Sequence, residues 1–180
     1  EKRNRKEFVP VEEDIEWEMY RFGIEWLQKQ GYEHYEISNY ALPGSQCRHN
    51  LTYWENREYL GLGAAAHGFV AGRRYENEPE IEKYLDRVQR GQLPVAAERT
   101  VTLAESVSET CFLGLRMRRG ISEKQFQYRY GKTLQDFFPD EIPHLINRGL
   151  LVREKEWIRL SDKGLDLANL VFEALFLEEK

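Results

Sequence analysis

The sequence predicts an α/β fold over residues 1–100, followed by a small, mainly helical and winged-helix-like domain over residues 101–180. In the first part a helical pattern is followed closely by a strand pattern, as in proteins with a parallel or barrel-like sheet. In the second part short helices with explicit start signals lead to a β-hairpin and a final helix. Of the 180 residues, 41% are apolar and 32% charged, which is enough to build a core and excludes a disordered chain.

The first part begins with a helix. Its apolar residues recur at spacings of three and four and share one helix face; they are Val11, Ile15, Met19, Phe22 and Trp26. Gly31 ends this helix. Residues 32–41 are rich in aromatic and β-branched side chains and predict a strand, which Pro43-Gly44-Ser45 stops.

The rest of the first part is less regular. Residues 45–58 have no clean period and predict a loop that can include a short helical turn. Residues 58–70 form an apolar stretch broken by small residues, which predicts a buried strand with close backbone approach. Residues 73–77 predict the return strand of a hairpin, and residues 81–88 predict a short amphipathic helix that ends before Gly91.

Around residues 95–101 the pattern changes to short helices. Thr102-Leu103-Ala104-Glu105 is a capping box that opens a helix through about Leu115. Ser122-Glu123-Lys124-Gln125 opens a second helix that ends at Gly131. The remaining predicted elements are a helix from Pro139 to Arg148, a β-hairpin over residues 150–160 and a last helix capped by Ser161 or Asp162.

Composition limits the classes of partner. No apolar run approaches the roughly 20 residues that span a bilayer, so we expect no membrane span. Cys47 and Cys111 form neither a disulfide framework nor a metal knuckle, which predicts a cytoplasmic protein with free thiols. The net charge of −5 argues against a generic polyanion binder.

One basic cluster contrasts with this overall charge. Between Arg116 and Lys132 the sequence has six basic residues and one acid, Glu123, which is compatible with a phosphate-contacting surface. The alternative is a solvated face or a patch that docks on an acidic neighbour. Residues 101–180 contain 12 basic and 13 acidic residues, and this near-neutral balance favours the alternative over nucleic-acid binding.

The densest group of chemically active side chains is Cys47-Arg48-His49-Asn50-Leu51-Thr52-Tyr53-Trp54. An imidazole can ligate a metal or a haem iron. The flanking aromatic rings can cover a macrocycle, and a guanidinium can pair with a carboxylate. In the alternative interpretation, Tyr53 and Trp54 anchor a loop and His49 satisfies backbone groups; composition alone favours this structural interpretation.

A second candidate is Gly61-Leu62-Gly63-Ala64-Ala65-Ala66-His67-Gly68. It does not match the dinucleotide pattern G-x-G-x-x-G, because Ala66 stands at the sixth position. Small side chains allow a backbone to approach a ligand closely, and they equally allow tight packing against a neighbouring element. Both interpretations stay open.

Three segments together resemble a known family. They are residues 31–41, the motif at residues 47–54 and the glycine-rich stretch at residues 59–67. They are similar to HemW-like haem chaperones, a branch of the radical SAM family that includes oxygen-independent coproporphyrinogen III oxidase. The specific element is His49-Asn50-x-x-Tyr53-Trp54, and residues from about 113 to 164 are similar to the family as well.

The resemblance implies a fold and a place for the chain within a longer protein. Residues 1–100 would be the last third of a radical SAM barrel-like domain, and residues 101–180 the family's C-terminal domain. In family members, three cysteines of a Cys-x-x-x-Cys-x-x-Cys loop bind a [4Fe–4S] cluster, and S-adenosylmethionine caps the remaining iron. This sequence lacks that loop. The chain would therefore be a C-terminal fragment, with cluster and S-adenosylmethionine bound only by the full-length protein, and inactive as an enzyme alone.

The resemblance also implies site residues. His49 would ligate or orient haem with Asn50 beside it, Tyr53 and Trp54 would cover its face, and Arg48 would meet a propionate. Partial S-adenosylmethionine contacts would fall on Tyr40, Ala41 and His67.

The implied function is haem binding and delivery to haem-acceptor proteins. Radical decarboxylation of coproporphyrinogen is the first alternative, although the intact haem motif counts against it. A winged-helix nucleic-acid-binding module is the second alternative.

Overall fold

A computed structural model describes residues 10–178; the predicted ranges extend to residues 1–9 and 179–180, which lie outside the described residues. The chain divides into two compact units, residues 1–46 and residues 47–180. This division falls elsewhere than the boundary expected near residue 100, which stays a prediction.

The first unit contains one helix and one hairpin: α1 (Glu13–Lys29), β1 (Glu33–Glu36) and β2 (Asn39–Ala41). The single strand expected over residues 32–41 is wrong, because the chain reverses after Glu36 and the two halves pair antiparallel. The buried Glu36 carboxylate accepts a hydrogen bond of 2.9 Å from the backbone N–H of Ser38, which stabilises the reversal.

The predicted helix α1 is confirmed, but its apolar face is exposed. Val11, Ile15, Met19, Phe22 and Trp26 keep between 48% and 69% of their surface accessible. Periodicity therefore identified the helix and its apolar face correctly, and this face is not covered by the described residues.

The second unit begins with a helix and an antiparallel sheet. Its first elements are α2 (Arg48–Trp54), β3 (His67–Val70), β4 (Arg73–Asn77), α3 (Ile81–Gln89) and β5 (Val95–Thr100). The sheet order is β3-β4-β5. The return strand and the amphipathic helix are confirmed. The strand expected over residues 58–70 forms only from His67, apart from a single bridge between Tyr59 and Phe69. The strand pairs described are all antiparallel, and the barrel-like sheet stays a prediction.

The remaining elements follow the expected order with two additions. They are α4 (Leu103–Arg116), β6 (Ile121–Ser122), α5 (Glu123–Tyr130), α6 (Leu134–Phe137), α7 (Glu141–Asn147), β7 (Leu151–Glu154), β8 (Trp157–Leu160), α8 (Asp162–Asp166) and α9 (Ala168–Ala174). The capping box of Thr102 and Glu105 is confirmed, and so is the hairpin. The two additions are strand β6 and helix α6, and the last helix is interrupted at Leu167.

Most of the buried apolar core of the described residues lies between residues 107 and 175. The largest fully buried apolar side chains all lie there; they include Leu115, Phe126, Leu134, Phe138, Ile142, Leu145, Leu150, Leu151, Ile158 and Leu175. They come from α4 to α7, the β7–β8 hairpin and the chain after α9. The strands form one sheet with the order β6-β8-β7. Among residues 10–178, no helix has the length and apolarity needed to cross a membrane.

Candidate functional site

The motif residues lie on a short helix rather than in a loop. Helix α2 contains His49, Asn50, Tyr53 and Trp54 and starts at Arg48. Arg48 and His49 are exposed, whereas Asn50, Tyr53 and Trp54 are half-buried. The helix is therefore held against the protein on one side and presents its first residues to solvent.

Tyr53 fixes one side of α2. Its ring meets the His49 ring edge-on at 4.7 Å and the Tyr59 ring at 4.6 Å. Tyr59 exchanges two backbone hydrogen bonds of 2.8 and 2.9 Å with Phe69 of β3. Burial raises the pKa of the Tyr59 hydroxyl above its usual value. Edge-on ring contacts through Tyr53 and Tyr59 thus connect the His49 imidazole to strand β3.

Asn56 fixes the end of α2 from the other side. It is buried and has a left-handed backbone (φ 47°), which asparagine tolerates better than most residues. Its Nδ2 donates to Thr110 Oγ1 of α4 at 3.0 Å. The backbone carbonyl oxygen of Asn56 accepts a hydrogen bond of 2.9 Å from the Arg129 guanidinium of α5. These contacts connect the motif helix to α4 and α5.

Trp54 lies in a different place from His49. The Arg116 guanidinium stacks over its ring at 4.5 Å. Trp54 lines a pocket of about 180 Å³ together with Met117, Phe126 and Trp157. Neither His49 nor Tyr53 lines that pocket. The Trp54 indole N–H is buried and has no hydrogen-bond partner among the described residues. The structure thus brings Tyr53 to His49 and directs Trp54 toward α4.

His49 lines a separate, open groove of about 680 Å³. The other polar residues of this groove are Arg48, Thr52, Glu55 and Arg57. Glu55 and Arg57 lie beyond the motif and were missed from the sequence, because no spacing rule connects them to His49.

The four histidines differ in their availability. His34 is buried, its Nε2 lies 3.1 Å from the Ile37 carbonyl oxygen, and its ring stacks on Tyr40 at 4.7 Å. His49, His67 and His144 are exposed. Only His49 combines exposure with a groove and a supporting aromatic ring within the described residues. An imidazole placed in this way can ligate a metal ion through a ring nitrogen.

The residues expected to contact S-adenosylmethionine lie in both units. Tyr40 and Ala41 are on β2, where Ala41 is buried and Tyr40 stacks on His34. Burial raises the pKa of the Tyr40 hydroxyl above its usual value, and the negative charge of Glu36 raises it to a smaller extent. His67 starts β3 and is exposed.

The glycine-rich stretch is filled by the protein's own side chains. Asn77 Nδ2 donates to the carbonyl oxygens of Gly61 and Gly63, both at 3.0 Å. A Cβ atom on Gly68 would lie 2.2 Å from the Tyr75 ring. Close approach is thus used for internal packing, in accordance with the structural interpretation of this segment.

The thiols of this chain do not fit an iron–sulfur cluster. Cys47 is exposed and Cys111 is fully buried, and both are free. Burial raises the pKa of the Cys111 thiol well above its usual range, so it stays protonated. No group of three or more His, Cys, Asp or Glu side chains among residues 10–178 could hold a metal ion.

The basic cluster between Arg116 and Lys132 is largely engaged within the chain. Arg118 pairs with Asp162 at 2.8 Å, and Arg119 pairs with Glu55. Arg129 bonds the Asn56 carbonyl, and Lys132 lies over the Phe137 ring at 5.8 Å. These internal contacts favour the interpretation of the cluster as a patch that docks on acidic groups.

Known proteins share a domain with this chain and are similar to it in sequence. Residues 101–167 match the HemN C-terminal domain. The chain is 36% identical over 167 residues to the haem chaperone HemW of Lactococcus lactis, covering 93% of this chain and 44% of that protein. It is 37% identical to HemW of Bacillus subtilis over 98% of this chain and 46% of that protein. The chain thus spans less than half the length of these relatives.

A solved structure shares the fold. The coproporphyrinogen III oxidase HemN from Escherichia coli, described as a radical SAM enzyme, superposes with a TM-score of 0.67 over 92% of this chain and 42% of that one. At 14% identity this likeness concerns the fold alone. From the HemW relatives and the matched domain, we conclude that the chain is similar to HemW proteins over nearly its whole length and contains a HemN C-terminal domain at residues 101–167.

Proposed function

We propose that this chain is the haem-binding part of a HemW-like chaperone that passes haem to acceptor proteins. The observation that carries the proposal is His49, exposed on an anchored helix and lining an open groove. Its imidazole ligates the haem iron, and Tyr53 supports the ring from the side at 4.7 Å. Asn50 is half-buried on the same helix and does not line the groove, and we assign it to the site from the motif.

The proposal gives Trp54 a different role from covering the haem. Its ring packs under Arg116 and lines the pocket formed with α4 and α5. We infer that Trp54 orients α2, whereas Tyr53, which does not line the groove, supports the His49 ring. Arg48 has no hydrogen-bond or ion-pair partner for its guanidinium within residues 10–178, so it is available to a propionate.

The finer fold assignments belong to this proposal too. Residues 101–180 form a winged-helix-like domain, supported by the sheet order β6-β8-β7 and the helices α4, α5 and α7. Residues 1–100 form the end of a barrel-like radical SAM domain. Its S-adenosylmethionine and [4Fe–4S] cluster would be bound by the longer protein, with Tyr40, Ala41 and His67 near the S-adenosylmethionine. We place the protein in the cytoplasm, on the strength of its two unclustered thiols.

The test is the replacement of His49 by alanine. Titration of the chain with ferric haem should give a shifted Soret band, and His49→Ala should abolish the shift and weaken binding about tenfold or more, or ~1.4 kcal/mol. Far-ultraviolet circular dichroism should be unchanged, because the His49 side chain is exposed.

His144→Ala is the matched control. His144 is exposed on α7, and neither the groove nor the smaller pocket includes it. It should bind haem as the unmodified chain does. If the two variants behave alike, His49 does not ligate iron and helix α2 serves the fold only.

A second expectation concerns iron–sulfur chemistry. After anaerobic reconstitution with iron and sulfide, the chain should show no stoichiometric [4Fe–4S] absorption and should not cleave S-adenosylmethionine. The reason is that clusters need grouped thiolates, and Cys111 is buried and protonated. A stoichiometric cluster spectrum from this chain would contradict the assignment of the cluster to the longer protein.

A further inference from the structure

We propose that Arg57, together with Arg48, binds the propionate carboxylates of haem at the His49 groove. This inference rests on the proposed function and adds an anionic subsite to it. Arg57 stands three residues after the motif, and it lines the same groove as His49 and Arg48. The side chain of Arg57 is 68% exposed, so that an incoming carboxylate can reach it.

The charges around the groove are unbalanced. Glu55 is the carboxylate of the groove, and it is shared by Arg57, at 2.6 Å, and by Arg119. Arg48 contributes the second guanidinium of the groove. The groove therefore has two guanidinium groups and one carboxylate, and Arg119 already binds that carboxylate from outside the groove. Haem has two propionates, and guanidinium groups bind carboxylates in a fork geometry with charge-assisted hydrogen bonds.

The geometry also explains how Arg57 is kept in place without haem. Glu55 has a side chain only 17% exposed, and it is bound on its other side by Arg119, at the turn after α4. One carboxylate oxygen faces Arg57 and the other faces Arg119. Arg57 is therefore oriented by a fixed carboxylate at the groove while its remaining N–H groups stay available.

The experiment compares two ligands that differ only in the propionates. The full chain is titrated with ferric haem and with its dimethyl ester, in which both carboxylates are uncharged, in the same detergent buffer. Arg57→Gln should weaken haem binding about three- to tenfold, as expected for a partly exposed charge-assisted contact. Binding of the dimethyl ester should be unchanged. Arg48→Gln should show the same selectivity.

Arg90→Gln is the matched control. Arg90 is 66% exposed and pairs with Asp86 at 2.9 Å, which resembles Arg57 in exposure and pairing, but it lies after α3, outside the groove. It should leave both titrations unchanged. Equal weakening of haem and ester binding by Arg57→Gln, or no weakening of haem binding, would overturn the subsite.

The outcome for His49 separates the two proposals. If His49→Ala abolishes the Soret shift while Arg57→Gln is not selective for haem over the ester, the propionate subsite is wrong and the haem site stands. If His49→Ala has no effect and Arg57→Gln is still selective, the subsite stands and the iron ligand lies elsewhere. If the chain binds neither ligand, both proposals are wrong.

Discussion

Replacement of Gly120 by alanine is expected to lower the free energy of unfolding by about 2–5 kcal/mol, from left-handed strain of about 1–2 and steric overlap of about 1–3 kcal/mol. Gly120 has φ +77°, and a Cβ atom there would lie 2.0 Å from the Ile158 carbonyl oxygen of β8. The neighbouring Ile121 pairs with Ile158, so relief of the overlap would disturb the β6–β8 pairing. Urea denaturation of the chain measures the loss.

Gly131 provides the matched control for this effect. Its φ is +71°, yet no atom lies within 4 Å of the position that a Cβ would occupy. Gly131→Ala should therefore lose only the conformational part, about 1–2 kcal/mol. If the two alanine variants were equally stable, strand β8 would have to move without cost, and the close contact at Gly120 would not be a constraint on the fold.

Phe126→Ala should be the most destabilising side-chain truncation on α5, by about 3–5 kcal/mol, because removal of a buried phenyl ring leaves a cavity. Phe126 is only 2% exposed. Its ring lies 4.7 Å from that of Tyr130 and 5.9 Å from that of Phe137. Chemical denaturation compares the variant with the unmodified chain.

Tyr128→Ala, two residues away on the same helix, is the control, because Tyr128 is 94% exposed. Its effect should stay within about 0.5 kcal/mol, as is usual for surface positions. Similar losses for both variants would mean that α5 is sensitive to helix propensity rather than to core packing.

Local signals in the sequence predicted the second part of the chain well. Thr102, Ser122 and Ser161 each accept a hydrogen bond from the backbone N–H three residues later, as their positions before apolar runs indicated. These interactions are complete within four residues. The sequence alone therefore contains the information that sets them.

The hairpin at residues 33–41 and the helix at residues 48–54 were harder to predict. The reversal after Glu36 depends on a carboxylate accepting a backbone N–H, with neither Gly nor Pro to mark it. The motif helix depends on Asn56, whose partner Thr110 is more than fifty residues away. Contacts at such separation have no local sequence signal.

The candidate site was predicted in part for the same reason. Adjacent residues on a helix point about 100° apart, so Tyr53 and Trp54 diverge once the segment is helical. Tyr53 meets His49, four residues earlier, whereas Trp54 meets Arg116. Glu55 forms salt bridges with both Arg57 and Arg119. No spacing within the motif could indicate these pairs.

The hydrogen bonds of Asn56 have a consequence for dissecting this protein into pieces. The matched domain begins at residue 101, yet Thr110 and Arg129 within it determine how the helix at residues 48–54 is presented. A fragment that ends near residue 100 would keep the motif residues and lose the contacts that orient them. A fragment that starts there would keep α4 and α5 without the motif. The smallest unit that keeps the orientation of the motif is therefore α2 together with α4 and α5. A graft of α2 into another protein must include all three helices.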